Sequence, residues 1–242
     1  MPSNKSSVLG IVFLTVFLDI VGFSIIFPLF PGMLDHYVSL EGSGSAVGRL
    51  AQWLSGFAGS DSNAVTTLFG GLLGSLYGLL QFIFSTVWGG LSDRVGRRPT
   101  LLFTLLGTVA SYFLWMWAGT FVVLIAARIL GGIMAGNIST ASAAVADTTT
   151  AQDRAKGMGI VGMAIGLGFI LGPAIGGFSM SISLPGANSI QTAQAFALNP
   201  FSAPALLSAV LAILNFLWVW KRFPETFPKG ARATCPSLRS FN

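Results

Sequence analysis

Long apolar runs, separated by short arginine-rich or glycine- and serine-rich stretches, organise this chain. A helix needs roughly 20 apolar residues to cross about 30 Å of hydrocarbon, because no water is present there to satisfy bare backbone groups. Six runs qualify, over about residues 8–34, 65–90, 100–119, 121–146, 157–179 and 204–220. The first is longer than a signal-peptide core and lacks an obvious small-residue cleavage site, so it reads as a retained helix. Between the first two spans, Val47, Leu50, Ala51, Leu54 and Phe57 recur at helical spacing, which leaves a short interfacial helix and a plain flexible loop both open. The stretch 181–202, with Pro185, Gly186, Asn188 and Pro200, reads as irregular.

Composition supports the bilayer as solvent. The chain is 53% hydrophobic and 9% charged, against the quarter or so of charged residues usual in soluble domains. Its basic excess is topological. With the amino terminus inside, Lys5, Arg94, Arg97, Arg98, Arg154, Lys156, Lys221, Arg222, Lys229, Arg232 and Arg239 fall in cytoplasmic segments, and Arg49 alone falls outside. That asymmetry sets orientation with both termini cytoplasmic and makes nucleic acid an unexpected partner. Cys235 is the lone cysteine, so no intrachain disulfide or cysteine metal motif is available. The single His36 beside Asp35 supplies too few ligands for a metal, and no metal or cofactor is expected.

Glycines recur inside the spans at four-residue intervals: Gly70, Gly74 and Gly78 in the second, Gly132 and Gly136 in the fourth, Gly168, Gly172 and Gly176 in the fifth. Small residues let helix backbones approach closely in lipid, so these stripes predict a packed bundle. Two charges stand where lipid is expected, Asp19 in the first span and Arg128 in the fourth. An ion near the bilayer centre costs at least about 2.5–3.5 kcal/mol, so each is a candidate facing a cavity or a partner. Asp19 is the candidate for loading and releasing a proton. A static Asp19–Arg128 pair, or bonds from each to polar neighbours such as Gln81 or Asn137, is the competing structural reading. Pro28 and Pro31 favour a kinked first span.

After the second span the chain reads Gly89, Gly90, Leu91, Ser92, Asp93, Arg94, Val95, Gly96, Arg97, Arg98 and Pro99. Gly96 permits a tight turn, and Pro99 suits the first turn of the next helix. In the fifth span, Gly159, Gly168, Gly172, Pro173, Gly176 and Gly177 keep a fixed spacing, and Pro173 removes a backbone donor so that the helix can bend. The first string matches the G-x-L-x-D-R-x-G-R-R signature between helices two and three of the major facilitator superfamily, and the second resembles that superfamily's antiporter motif. Leu124 through Arg128 to Gly132 and Gly136 resembles its helix-four motif, with Gly131 where many members carry glutamine. Leu18 to Gly22, with Pro28 and Pro31, resembles the opening of tetracycline-type exporters in the drug:proton antiporter group.

The resemblance covers nearly all of residues 8–225 and implies an all-α membrane protein. Its six transmembrane helices would form a 3+3 inverted repeat, one half of a twelve-helix fold with substrate held between the halves. It implies export of a small amphipathic molecule across the cell's inner (plasma) membrane, in exchange for protons and by alternating access. Asp19 and Arg128 would serve proton coupling. Gly89, Asp93, Arg94, Gly96, Arg97 and Arg98 would form a cytoplasmic gate with Asp147, and Gln81, Asn137 and Phe23 would line the cavity. The implied partners are the small-molecule substrate, protons, the bilayer, and a missing carboxy-terminal half or second six-helix chain. Residues 1–226 form the transmembrane domain, and the polar tail 227–242 is open to a truncated or aberrant reading. One rival is a six-helix fragment that transports nothing without a partner. Another is a rhomboid-like intramembrane protease, which would need a G-x-S-G serine that this sequence lacks.

Overall fold

The computed structural model describes residues 5–58, 61–182, 184–187 and 193–226, with backbone alone at 5–7. The expected tail 227–242, and with it Lys229, Arg232, Cys235 and Arg239, lies outside the described residues, as does Asn188. The helices are α1 (Lys5–Ser24), α2 (Phe30–Glu41), α3 (Ala46–Ala58), α4 (Ser62–Val95), α5 (Arg97–Met116), α6 (Phe121–Met134), α7 (Asn137–Thr148), α8 (Arg154–Ser179) and α9 (Ser202–Arg222). A 3-10 turn over Phe27–Leu29 joins α1 to α2. Among the described residues, six stretches are long and apolar enough to cross a membrane: Val8–Glu41, Ser62–Val95, Arg97–Met116, Phe121–Thr148, Arg154–Ser179 and Ser202–Arg222. Among the described residues no β-strand forms, and one isolated bridge joins Ala118 to Phe196.

The first and fourth spans are broken, each for a local reason. In the first, Pro28 sits at the start of the 3-10 turn and Pro31 in the first turn of α2, positions where a missing N–H costs no helical bond. The fourth span, expected to be continuous over 121–146, divides at Ala135 and Gly136 with no proline to mark it. Trp88 of α4 holds the break. Its indole N–H donates to the Ile133 carbonyl at 2.6 Å, and its ring lies over Gly136, where an added Cβ would meet Trp88 Cδ1 at 2.5 Å. The second span outruns the expected 65–90 at both ends. Asp61 caps its start by accepting from the Asn63 N–H, and the helix continues until Gly96 turns the chain with φ of +122°.

The interval 46–57 folds as α3, turning Val47 and Leu54 inward, so of the two open readings the helix is the one observed. The loop at 181–202 is irregular where described. Its Ala195 carbonyl accepts from the Gly119 N–H, and its Ala197 N–H donates to the Trp117 carbonyl, which ties it to the α5–α6 turn. Tyr37, Asn199 and Ser202 add bonds to Ala118 and Met116 there.

Burial is uneven. One apolar core gathers Ile25, Leu29, Met33, Tyr37, Phe69, Trp115 and Leu124. A second, at the end that carries Arg97, gathers Val12, Val16, Leu101, Leu105, Val145, Val161 and Val219. By contrast α4 leaves Leu79, Phe82 and Val87 outward, and α8 leaves Met163, Ile170 and Phe178 outward. The expected close approach through Gly70, Gly74 and Gly78 is therefore corrected. Only Gly70 is approached, by the Phe30 ring, and Gly74 and Gly78 have no neighbour within 4 Å of an added Cβ.

Candidate functional site

The break in the fourth span places Asn137 at the first position of α7, fully buried and against α1. Its side-chain amide donates to Asp19 Oδ1 at 2.9 Å, and its Oδ1 accepts from the Thr104 hydroxyl of α5 at 2.5 Å. Three spans are thus joined in one hydrogen-bonded chain that ends at the Asp19 carboxylate. Between the two structural readings of Asp19, the bond to Asn137 is observed. Among the described residues no ion pair joins Asp19 to Arg128.

Arg128 is 2% exposed, and its partners are aromatic. The guanidinium carbon lies 5.2 Å from the centre of the Trp115 ring and 5.6 Å from that of Tyr77, while Nε has no hydrogen-bond partner. A desolvated cation between two rings gains of the order of 2 kcal/mol per contact. Gly131 explains how this cage fits. An added Cβ would sit 3.1 Å from both Tyr77 Cε2 and Ser111 Oγ, so the ring on Arg128 occupies the room a longer side chain at 131 would claim.

From Tyr77 an aromatic file continues away from the basic end. Phe23 stacks on Tyr77 with ring centres 4.5 Å apart, Phe27 meets Phe23 edge-on at 5.2 Å, and Phe30 follows at 6.0 Å. Phe169 of α8 closes it from the side, 6.0 Å from Phe27. The file ends at a cleft of about 580 Å³ between α2 and α4, where Phe27, Phe30 and Pro31 face Asp35, Asn63 and Thr66. Gln81 lies instead on a smaller cleft of about 300 Å³, with Ser85 and Ser139, beside the broken fourth span. Phe23 therefore joins the Arg128 cage, whereas Gln81 makes no hydrogen bond to Asp19 or Arg128.

At the basic end Gly96 directs the start of α5 so that Arg97 turns inward. Its Nε donates to Asp147 Oδ2 at 2.8 Å, and its Nη1 lies 2.5 Å from both Asp93 Oδ1 and Ser92 Oγ. Glu225, beyond α9, accepts from the Arg97 backbone N–H at 2.9 Å, and Arg98 donates to the Trp220 carbonyl at 2.6 Å. The Arg97 guanidinium thus ties α4 and α7 to α5, and its backbone N–H adds the segment after α9. Arg94 is exposed and stands apart from it, and Gly89 has open space about it. Ser92 and Glu225 had no sequence signal beyond proximity to charged neighbours. Arg97→Gln is expected to lower stability by about 1–2 kcal/mol, because it takes the partner from the partly buried Asp147 carboxylate and from the buried Ser92 hydroxyl. Thermal unfolding in detergent measures this, and equal melting of variant and parent would refute it.

The glycines of α8 divide between two faces. Gly168, Gly172 and Gly176 are buried on α1, where added Cβ atoms would collide with Ile20, Ser24 and Ile25 respectively. Ser24 Oγ donates across this contact to the Gly168 carbonyl at 3.0 Å. Gly159 and Gly177 point away, with no neighbour within 4 Å, and Pro173 lies inside the helix between the two sets.

A sequence model of the Major Facilitator Superfamily matches residues 12–234. The chain belongs to this superfamily. Among its relatives, Major facilitator superfamily domain-containing protein 10 of Bos taurus is 35% identical over 240 residues, 97% of this chain and 48% of the relative. The class C tetracycline resistance protein of Escherichia coli is 34% identical over 242 residues, 100% of this chain and 50% of the relative. The crystal structure of the human organic anion transporter MFSD10 (TETRAN) superposes with a TM-score of 0.82 at 30% identity, covering 98% of this chain and 52% of that one. The chain spans about half the length of the curated relatives it matches, and what it matches is their amino-terminal half. It is a multi-pass membrane protein of a transporter superfamily, which sets aside the intramembrane-protease reading.

Proposed function

We propose that this chain is the amino-terminal half of an exporter that exchanges a small amphipathic molecule for protons by alternating access. The observation that carries the reading is Asp19, a mid-span carboxylate held by one amide, with the caged Arg128 cation nearby and no ion pair between them. Two static charges would gain most by pairing. Kept apart, Asp19 and Arg128 are each free to change partners, as the proton-coupling role proposed for both requires. The aromatic file from Phe30 to Tyr77 gives the apolar face of a planar amphipathic molecule a continuous wall leading to Arg128. Relatives named for tetracycline resistance and for organic anion transport fit such a solute.

The outward apolar faces of α4 and α8 support a second six-helix body as partner, with the cavity lying between the two. In this reading the Arg97 cluster is the cytoplasmic gate, intact when that side is closed, and both termini lie in the cytoplasm of a plasma-membrane protein. The test is reconstitution of this chain in liposomes, alone and co-expressed with the carboxy-terminal half of the class C tetracycline resistance protein. An imposed pH gradient is expected to drive tetracycline accumulation only where the two halves co-purify. Accumulation indifferent to the gradient would overturn antiport, halves that do not co-purify would overturn the pairing, and co-purified halves that move nothing would overturn the exporter reading.

A further inference from the structure

The Asp19–Asn137–Thr104 chain holds one hydroxyl hydrogen and three places for it. Thr104 Oγ lies 2.5 Å from Asn137 Oδ1, 3.0 Å from the Thr100 carbonyl and 3.1 Å from the Leu101 carbonyl. A threonine hydroxyl has one O–H to donate and lone pairs to accept, and a primary amide presents an acceptor on one arm and donors on the other. Facing Asp19, Asn137 presents its donor arm, at 2.9 Å. That arrangement suits a carboxylate, which only accepts. It obliges the acceptor arm to point at Thr104, so the Thr104 O–H must turn to Asn137.

We infer that the Asn137 amide turns over when Asp19 takes up a proton and passes the change to the Thr104 hydroxyl. This rests on the proton-coupling role proposed above for Asp19. Protonation forms one O–H bond on the carboxylate with a proton drawn from water, and nothing is oxidised or reduced. The new O–H donates to Asn137 Oδ1, the Asn137 N–H donates to Thr104 Oγ, and the Thr104 O–H returns to the Thr100 carbonyl of its own helix. Each state keeps both links of the chain, Asp19 to Asn137 and Asn137 to Thr104, hydrogen-bonded. The two amide arms have nearly the same shape, so the half-turn changes no packing around a fully buried side chain.

No other ionisable group interrupts this chain. Tyr77 of α4 and Tyr112 of α5 each lie within electrostatic reach of both Asp19 and Arg128 of α6, yet among the described residues none of the three hydrogen-bonds to the carboxylate. Between Asn137 and Ala146 α7 has no ionisable side chain, α8 has none beyond Lys156, and α9 has none before Lys221. The consequence is directional. Thr104 and Thr100 are on the helix that begins at Arg97, and the Thr100 hydroxyl donates to the Gly96 carbonyl at 2.9 Å. Protonation in mid-span is thereby felt on the helix that anchors the ion pairs at the basic end. Asn137 and Thr104 act as positioning residues, since neither need exchange a proton with solvent.

Infrared pH titration of the purified chain in lipid nanodiscs, with 13C-asparagine label, tests this without any transport assay. The Asn137 carbonyl band is assigned by its loss in Asn137→Ala or, if that variant does not fold, by its response to Thr104→Val. It is expected to move at the same pH at which the Asp19 carboxyl band appears, and to stay fixed in Asp19→Asn. Thr104→Val should move only the high-pH position of the amide band, because only then does the amide oxygen accept from Thr104. An amide band displaced equally at both ends of the titration, or unmoved while the carboxyl band appears, would overturn the inference and leave the coupling role standing. If no carboxyl band assignable to Asp19 titrates at all, the coupling role falls, and the relay falls with it.

Discussion

Asp19→Asn is expected to reduce gradient-driven accumulation of substrate to background while leaving the fold and downhill substrate exchange in place. The substitution is nearly isosteric. Its amide oxygen can still accept from Asn137 at the place now held by Asp19 Oδ1. What it removes is the ability to gain and lose a proton, and with it a mid-span charge costing at least about 2.5–3.5 kcal/mol. Coupling is therefore lost and stability is not. Counterflow of labelled substrate in the absence of a gradient checks the second half of the statement, and accumulation under an imposed pH gradient checks the first. Retention of accumulation within about twofold of the parent would mean that Asp19 is a structural hydrogen-bond acceptor. Loss of counterflow together with accumulation would place it in substrate binding.

The bundle was legible because lipid leaves few options for six apolar runs of sufficient length, whereas the glycine stripes were legible only in part, since Gly168, Gly172 and Gly176 meet α1 while Gly74 and Gly78 stand open. The Arg97–Asp147 pair was legible only through the family resemblance, since nothing in the spacing of residues 97 and 147 brings them together. Three features escaped. The break at Ala135–Gly136 has no proline, and its cause is Trp88 on another helix, whose ring and N–H take the place of one helical turn's bonding. Thr104 is an ordinary span threonine by sequence, and it becomes part of the site because that break turns Asn137 toward α1 and α5. The cage around Arg128 depends on Tyr77 and Trp115 from two further spans, and aromatic residues are too common in such a chain to single these out. Each is a long-range packing outcome, and periodicity along one helix carries no information about it.

The same limit governs the glycines, where one sequence motif proves to serve two surfaces, and this yields the second large expected effect. Gly172→Val is expected to destabilise the chain by about 3 kcal/mol or more. The new Cβ would collide with Ser24 Oγ and lie 2.9 Å from the Val21 carbonyl oxygen, so the obstacle includes backbone that no rotamer change can clear. For α1 to retreat, it would have to strain its bonds to α9, where Ser208 donates to the Gly22 carbonyl at 3.0 Å and Asn215 to that of Thr15 at 2.9 Å. It would also carry Asp19 away from Asn137. A loss of this size lowers the melting temperature by the order of 10 °C in a chain of this length. Gly159→Val and Gly177→Val, facing open space, should leave melting nearly unchanged and instead weaken association with the second six-helix body, whose place their face would occupy. Melting curves for the three variants, beside co-purification with a carboxy-terminal half, separate the two surfaces. If all three variants melt alike, the division of the motif is wrong. If Gly172→Val alone melts early while co-purification is lost only in the other two, the α8 helix holds α1 with one face and the carboxy-terminal half with the other.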